Sequence, residues 1–156
     1  MKIKILALGE KMPKWVQEGC QEYQKRLSSS SIKLELIELS IAKRGKNNNI
    51  QNLMALEAKS LLSKISDNDY IVVLDPHGKL ISTEQLAEKI TGWQQNSPNV
   101  IIIIGGPDGI DPEIKKMAHE KISLSKMTFP HPIVRIVLAE QIYRAWSILQ
   151  GHPYHK

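Results

Sequence analysis

"NVIIIIGGPDGIDPEI", residues 99–114, decides the fold. Five apolar residues, Val100 to Ile104, run without a polar break. Such a run, apolar on both faces, reads as a strand in the middle of a sheet. A glycine turn closes it at Gly105, Gly106, Pro107, Asp108 and Gly109. Asp111 ahead of Pro112 then reads as the cap and first residue of a helix. A strand, a tight turn and a helix make one βα unit, and strands alternate with helices through the rest of the chain, without an internal sequence repeat.

Before this unit, Ile3 to Leu8 reads as a buried strand ended by Gly9. A helix follows Pro13, with Trp15, Val16, Gly19, Cys20, Tyr23 and Leu27 at helical spacing. Residues 32–39, "IKLELIEL", alternate like a strand with one buried face. A polar loop occupies 42–49, and Ile50 to Ile65 is amphipathic at helical period. "YIVVLD" (70–75) is a β-branched strand that "PHGK" should close, and Ser82 caps a helix from Thr83 to Trp93. After the opening unit come a short strand in "KISLS" (121–125), a helix from Ile133 to Gln150 and a polar tail. The expected fold is α/β, a mainly parallel sheet flanked by helices, with residues 1–156 as one domain.

The bulk numbers fit that reading. Of 156 residues, 42% are hydrophobic and 24% charged. Cys20 is the only cysteine, so no internal disulfide forms, and a reducing cytoplasmic location is expected. The first residues do not make a signal peptide, and no apolar run approaches the roughly 18 residues of a membrane helix. The net charge of +5 allows a polyanionic partner without requiring one.

The glycine turn is neither a dinucleotide fingerprint nor a Walker loop. Phosphate cradles rely on backbone N–H groups and often on a lysine. Pro107 has no N–H, Asp108 adds a negative charge, and no lysine occurs in the segment before Lys115. A nucleoside with a cationic or zwitterionic end suits this loop better than a phosphate. The alternative is a turn whose glycines serve only positive φ. Two other turns, "LDPHGK" (74–79) and "SLSKMTFPHP" (123–132), should share the same sheet edge, where parallel sheets bind ligands.

The last helix, "IVRIVLAEQIYRAWSILQ", is apolar nearly all round, which implies a second covering surface: a second copy of the chain is expected, the alternative being burial within one core. Glu140 and Arg144 are spaced for an ion pair. The tail adds His152, Tyr154 and His155, and His131 precedes the helix. These histidines lack the cysteines or carboxylates of a metal site, so no metal is expected.

Taken together, "IGGPDG", "SLSKMTFPHPIVRIVLAEQIYRAWSI" and "HPYHK" resemble the small SPOUT-class methyltransferases that modify a pseudouridine in large-subunit ribosomal RNA. The opening "LALGEKMPKWVQEGCQEYQKRL" and the loop "KRGKN" resemble them too, so the likeness spans essentially the whole chain. The resemblance implies S-adenosylmethionine as methyl donor, a homodimer and a C-terminal trefoil knot. It implies methylation of the N3 imide nitrogen of a pseudouridine in 23S ribosomal RNA, in the assembled ribosome. The cofactor contacts it implies fall on Leu74, Gly105, Leu124, Ser125, Lys126, Met127, Thr128 and Phe129, within the three turns singled out above.

Residue chemistry adds further candidates. The imide nitrogen must lose a proton, for which Glu140, His131 and the tail histidines are candidate bases, as is water. Arg135 and Arg144 are candidates to steady charge on the uracil carbonyls. Lys43, Arg44 and Lys46 suit contact with RNA phosphates, as do His152, Tyr154 and His155 of the tail. A non-catalytic RNA-binding or ribosome-associated protein that keeps the fold is the rival reading.

Overall fold

In the computed structural model, residues 1–45 and 49–156 are described. Five parallel strands form one sheet in the order β2-β1-β4-β3-β5. They are β1 (Lys2–Leu8), β2 (Lys33–Leu39), β3 (Tyr70–Leu80), β4 (Asn99–Ile104) and β5 (Glu120–Ser123). The helices are α1 (Lys14–Leu27), α2 (Ile50–Leu62), α3 (Thr83–Asn96), α4 (Pro112–Met117) and α5 (His131–Leu149). A 3₁₀ turn at Pro153–His155 ends the described chain.

Strand alternation sorts the side chains into two cores. Ile3, Ile5 and Ala7 of β1 and Val100, Ile102 and Ile104 of β4 pack under α1, α3 and α5. Leu6 and Leu8 of β1 and Ile101 and Ile103 of β4 pack under α2 and α4 on the other face. β4 lies at the centre of the sheet and is buried on both sides, as its unbroken apolar run requires. The α3 start is a full capping box: Ser82 accepts from Gln85 N–H, and the Gln85 side chain accepts from Ser82 N–H. Asp111 caps α4 through Glu113 N–H.

Three expectations need correction. β3 does not end at residue 75. It continues to Leu80, and its pairing with β5 shifts register between Leu74 and Lys79. Gly78 permits this, since a Cβ there would lie 2.8 Å from the Ile122 backbone. β2 does not bury a single face: Leu34 joins one core and Leu39 the other. The polar tail does add to the core, because Tyr154 packs against it beside Tyr23 and Tyr143. Part of the all-round apolarity of α5 is also used within the chain. It packs against both α1 and α3, and Ile136 lies so close to Gly19 that a Cβ there would come within 2.9 Å.

Candidate active site

The carboxyl ends of β4 and β5, with the register shift in the middle of β3 between them, open into a cleft of about 440 Å³. That volume falls within the roughly 300–1,000 Å³ of small-molecule sites. Three segments line it: Leu74 to Pro76 at the register shift within β3, the glycine turn after β4 (Gly105, Gly106, Pro107, Gly109 and Ile110), and Ser123 to Phe129 at and after the end of β5. Leu74, Gly105, Leu124, Ser125, Lys126, Met127, Thr128, Phe129 and His131 therefore meet in one place. Ile122 and Val134 complete the apolar wall.

Backbone geometry builds the central turn. Only Gly109 of its three glycines has positive φ, at 84°. Gly105 is needed for a different reason: a Cβ there would lie 2.7 Å from Ile110 Cγ1 and 2.9 Å from the Gly109 carbonyl carbon and oxygen. The turn folds tightly on itself, with a bridge between Gly106 and Gly109. On the opposite turn, Ser125 Oγ accepts from Met127 N–H at 2.9 Å, and Ser123 Oγ donates to the Ser125 carbonyl at 3.0 Å. Met127 is 74% exposed and forms a lip of the cleft.

Asp75 and Lys115 are the cleft-lining ionic pair, and sequence reasoning singled out neither as a site residue. They lie 3.3 Å apart. Burial drives the Asp75 carboxyl upward, but the His77 N–H and the Lys115 ammonium outweigh it and hold the group below its ordinary range. Asp75 ends the apolar run of β3 at the ligand-bearing edge, which was a usable signal. Its pairing with Lys115, far away in sequence, left no local trace.

Asp108 takes no part in this polarity. It pairs with Arg44 at 2.8 Å, and Arg44 also binds the buried Glu57 at 2.8 Å. The hydrogen bonds of Glu57 and Asp108 raise the Arg44 guanidinium above its ordinary range. Arg44 is thus a tie between the 42–44 loop, α2 and the glycine turn, rather than a loose phosphate contact. Lys43 sits beside it, and Lys46 lies outside the described residues.

The other candidates do not line the cleft. Arg135 is wholly buried on α5, one turn after His131. Glu140, Arg144 and Tyr154 form a separate cluster, roughly 13 Å farther along the helix axis than His131. There Glu140 Oε1 accepts from Arg144 Nε at 2.8 Å and from the Tyr154 hydroxyl at 3.1 Å, while Oε2 accepts from Gln141 at 2.8 Å. The Tyr154 ring meets Tyr143 edge-on at 4.6 Å, with the Arg144 guanidinium carbon 4.9 Å from its centre. Burial and hydrogen bonding with Tyr23, together with the Glu140 carboxylate, raise the Tyr154 phenol above its ordinary range. His152 and His155 turn inward on the tail itself, His152 Nδ1 accepting from Tyr154 N–H at 3.2 Å and His155 Nδ1 lying 2.6 Å from the His152 carbonyl.

Among the described residues, no group of three or more His, Cys, Asp or Glu is arranged to hold a metal ion. None of the described helices is long and apolar enough to cross a membrane.

Comparison with known proteins gives consistent matches. A family model described as "Predicted SPOUT methyltransferase" matches residues 1–155. A Francisella philomiragia protein named "Ribosomal RNA large subunit methyltransferase H" is 65% identical over 156 residues, covering 100% of both chains. Proteins of the same name from Francisella tularensis subsp. novicida and Saccharophagus degradans are 64% and 51% identical, again over 156 residues and 100% of both chains. With likeness at this level from end to end, and a cleft where a parallel sheet offers one, the chain belongs to the SPOUT methyltransferase family.

Proposed function

We propose that the protein transfers a methyl group from S-adenosylmethionine to the N3 imide nitrogen of a pseudouridine in 23S ribosomal RNA, acting on the assembled ribosome as a cytoplasmic homodimer. The trefoil knot that the family implies belongs to this reading. The observation that carries it is the cleft itself. It is apolar along Leu74, Ile104, Ile110, Ile122, Leu124 and Phe129, and its charged side chains are Asp75, Lys115 and Lys126, of which Asp75 and Lys115 are paired. That donor set fits a nucleoside with a zwitterionic amino-acid end. It suits a triphosphate poorly, because the Asp75 carboxylate faces into it, Lys115 is already paired with that carboxylate and the α4 N-terminus is capped by Asp111.

When bound, S-adenosylmethionine supplies a sulfonium-activated methyl group for in-line displacement. The chain's part is positioning. The Gly105 turn and the 124–129 turn would hold the nucleoside from two sides, while Asp75 and Lys115 orient its charged end. The base question narrows. His131 Nε2 faces Arg135 at 2.7 Å, and both Glu140 oxygens are engaged away from the cleft. The proton acceptor is therefore water or a group delivered by a second copy. A second copy packed on α5 is also the route by which Arg144, Tyr154 and the tail histidines reach a cleft that they do not line in their own chain. Lys43 and Lys46 remain proposed RNA contacts.

The test is mass mapping of ribosomal RNA from a strain lacking the gene, with and without restoration of the chain. Loss and recovery of one methyl group on a 23S pseudouridine is expected, and an unchanged methylation pattern refutes the activity. Calorimetric binding of S-adenosylmethionine separates this reading from a non-catalytic RNA-binding protein of the same fold.

A further inference from the structure

Arg135 is a cation with 0% exposure. A guanidinium so placed requires partners, since an uncompensated buried charge is costly. Its Nη2 donates to the Gly9 carbonyl at 2.7 Å, and its Nη1 lies 3.3 Å from Glu38 Oε2. Its Nε and Nη2 approach His131 Nε2 at 3.1 and 2.7 Å. Gly9 is shaped around this group: its φ is 127°, and a Cβ there would lie 3.0 Å from Nη2. Glu38, Gly9 and Gly105 stand at the carboxyl ends of β2, β1 and β4, which are adjacent in the sheet. The line Glu38–Arg135–His131–Gly105 thus runs along the sheet edge and ends at the cleft.

Arginine has donors only. Where it meets His131, the imidazole nitrogen must accept. Nε2 is therefore unprotonated, and the ring's proton sits on Nδ1. His131 and Gly105 line the same cleft, and the Gly105 backbone acts on the imidazole in the sense of an acceptor, so Nδ1 is the nitrogen left to donate to it. Burial and the Arg135 charge lower the His131 imidazole below its ordinary range, consistent with a neutral ring.

We propose that Arg135 is a positioning residue: by occupying His131 Nε2 it selects the Nδ1-protonated ring, which pins the Gly105 carbonyl and presets the turn that receives the methyl donor. This assigns neither residue to proton removal or to charge stabilisation on the RNA. The link to the methyl donor rests on the function proposed above, whereas the tautomer does not.

The tautomer is read from the ¹⁵N shifts of His131 in the wild-type protein at pH 7. A neutral ring with protonated Nδ1 is expected, and an Nε2-protonated ring or an imidazolium overturns the proposal. Affinity for S-adenosylhomocysteine is then measured by calorimetry on variants whose folding is checked by circular dichroism. His131→Ala should weaken binding about tenfold or more. His131→Asn, whose amide reproduces the Nδ1 donor, should stay within about threefold of wild type. Arg135→Lys should weaken binding and shift the His131 signals away from the wild-type tautomer. Unchanged affinity in His131→Ala, or equal loss in His131→Ala and His131→Asn, overturns the positioning role. If the wild type binds no S-adenosylhomocysteine, the proposed activity fails, while the ¹⁵N spectrum still decides the tautomer.

Discussion

Gly105 is fixed by what lies opposite its α-carbon. With Gly109 and Ile110 within 2.9 Å of any added Cβ, Gly105→Val must open the turn. Loss of at least a hundredfold in S-adenosylhomocysteine affinity is expected by calorimetry, with the disturbance coming from the protein's own loop rather than from contact with the ligand. Arg44 presents a second test. Glu57 has only 2% side-chain exposure, so Arg44→Met strands a buried carboxylate and should cost about 3 kcal/mol in urea unfolding. A purely solvated basic loop would lose almost nothing. His131 sets a pH dependence. Its folded value lies below the ordinary 6.5, so an unfolded chain takes up a proton that the folded chain refuses. Stability should fall as pH drops below about 6.5 and stay level above it as far as this group is concerned. Urea titrations at pH 7 and pH 5 measure the difference, and His131→Asn should shrink it. At this scale the sequence singled out segments that the fold brings to one cleft, but not which charges face into it. Asp108 looked like the loop's polarity, yet Arg44 neutralises it, and Asp75 takes that place through a pairing with Lys115 that no local pattern encodes.

The helices and strands were legible because each carries its own period. β4 declared itself by apolarity on both faces, and α3 and α4 by their capping residues. What failed to show was tertiary: the register shift in β3 and the docking of the tail. Tyr154 looked like part of a polar appendage because Gly151 and Pro153 interrupt the helix before it. Its ring and hydroxyl nevertheless join Tyr143, Tyr23 and Glu140. Deleting residues 152–156 should therefore cost about 2 kcal/mol of stability by loss of aromatic packing, in addition to any effect on methyl transfer. A deletion with unchanged melting temperature contradicts the docked tail. On α5, Ile133 and Val137 are four apart and only half-buried. Val137→Asp should convert a dimer to monomers in sedimentation velocity, and a monomeric wild type would remove the reason for the test.

As a whole molecule, the sheet collects three segments from distant parts of the chain at one cleft, and the ligand class proposed above rests on their joint chemistry rather than on any single motif. S-adenosylmethionine should bind in calorimetry where ATP, at the same concentration, gives no heat; comparable ATP binding would contradict the reading of the Asp75–Lys115 pair. The strand order carries a further consequence for how the chain folds. β1 pairs with β4 through Lys2 and Asn99, and the cleft joins residues from Leu74 to Val134. Both are contacts between segments far apart in sequence, which are slow to form because the loop between them must close first. The cleft is therefore a late product of folding, and a partly folded chain with its helices in place still lacks a pocket for a ligand.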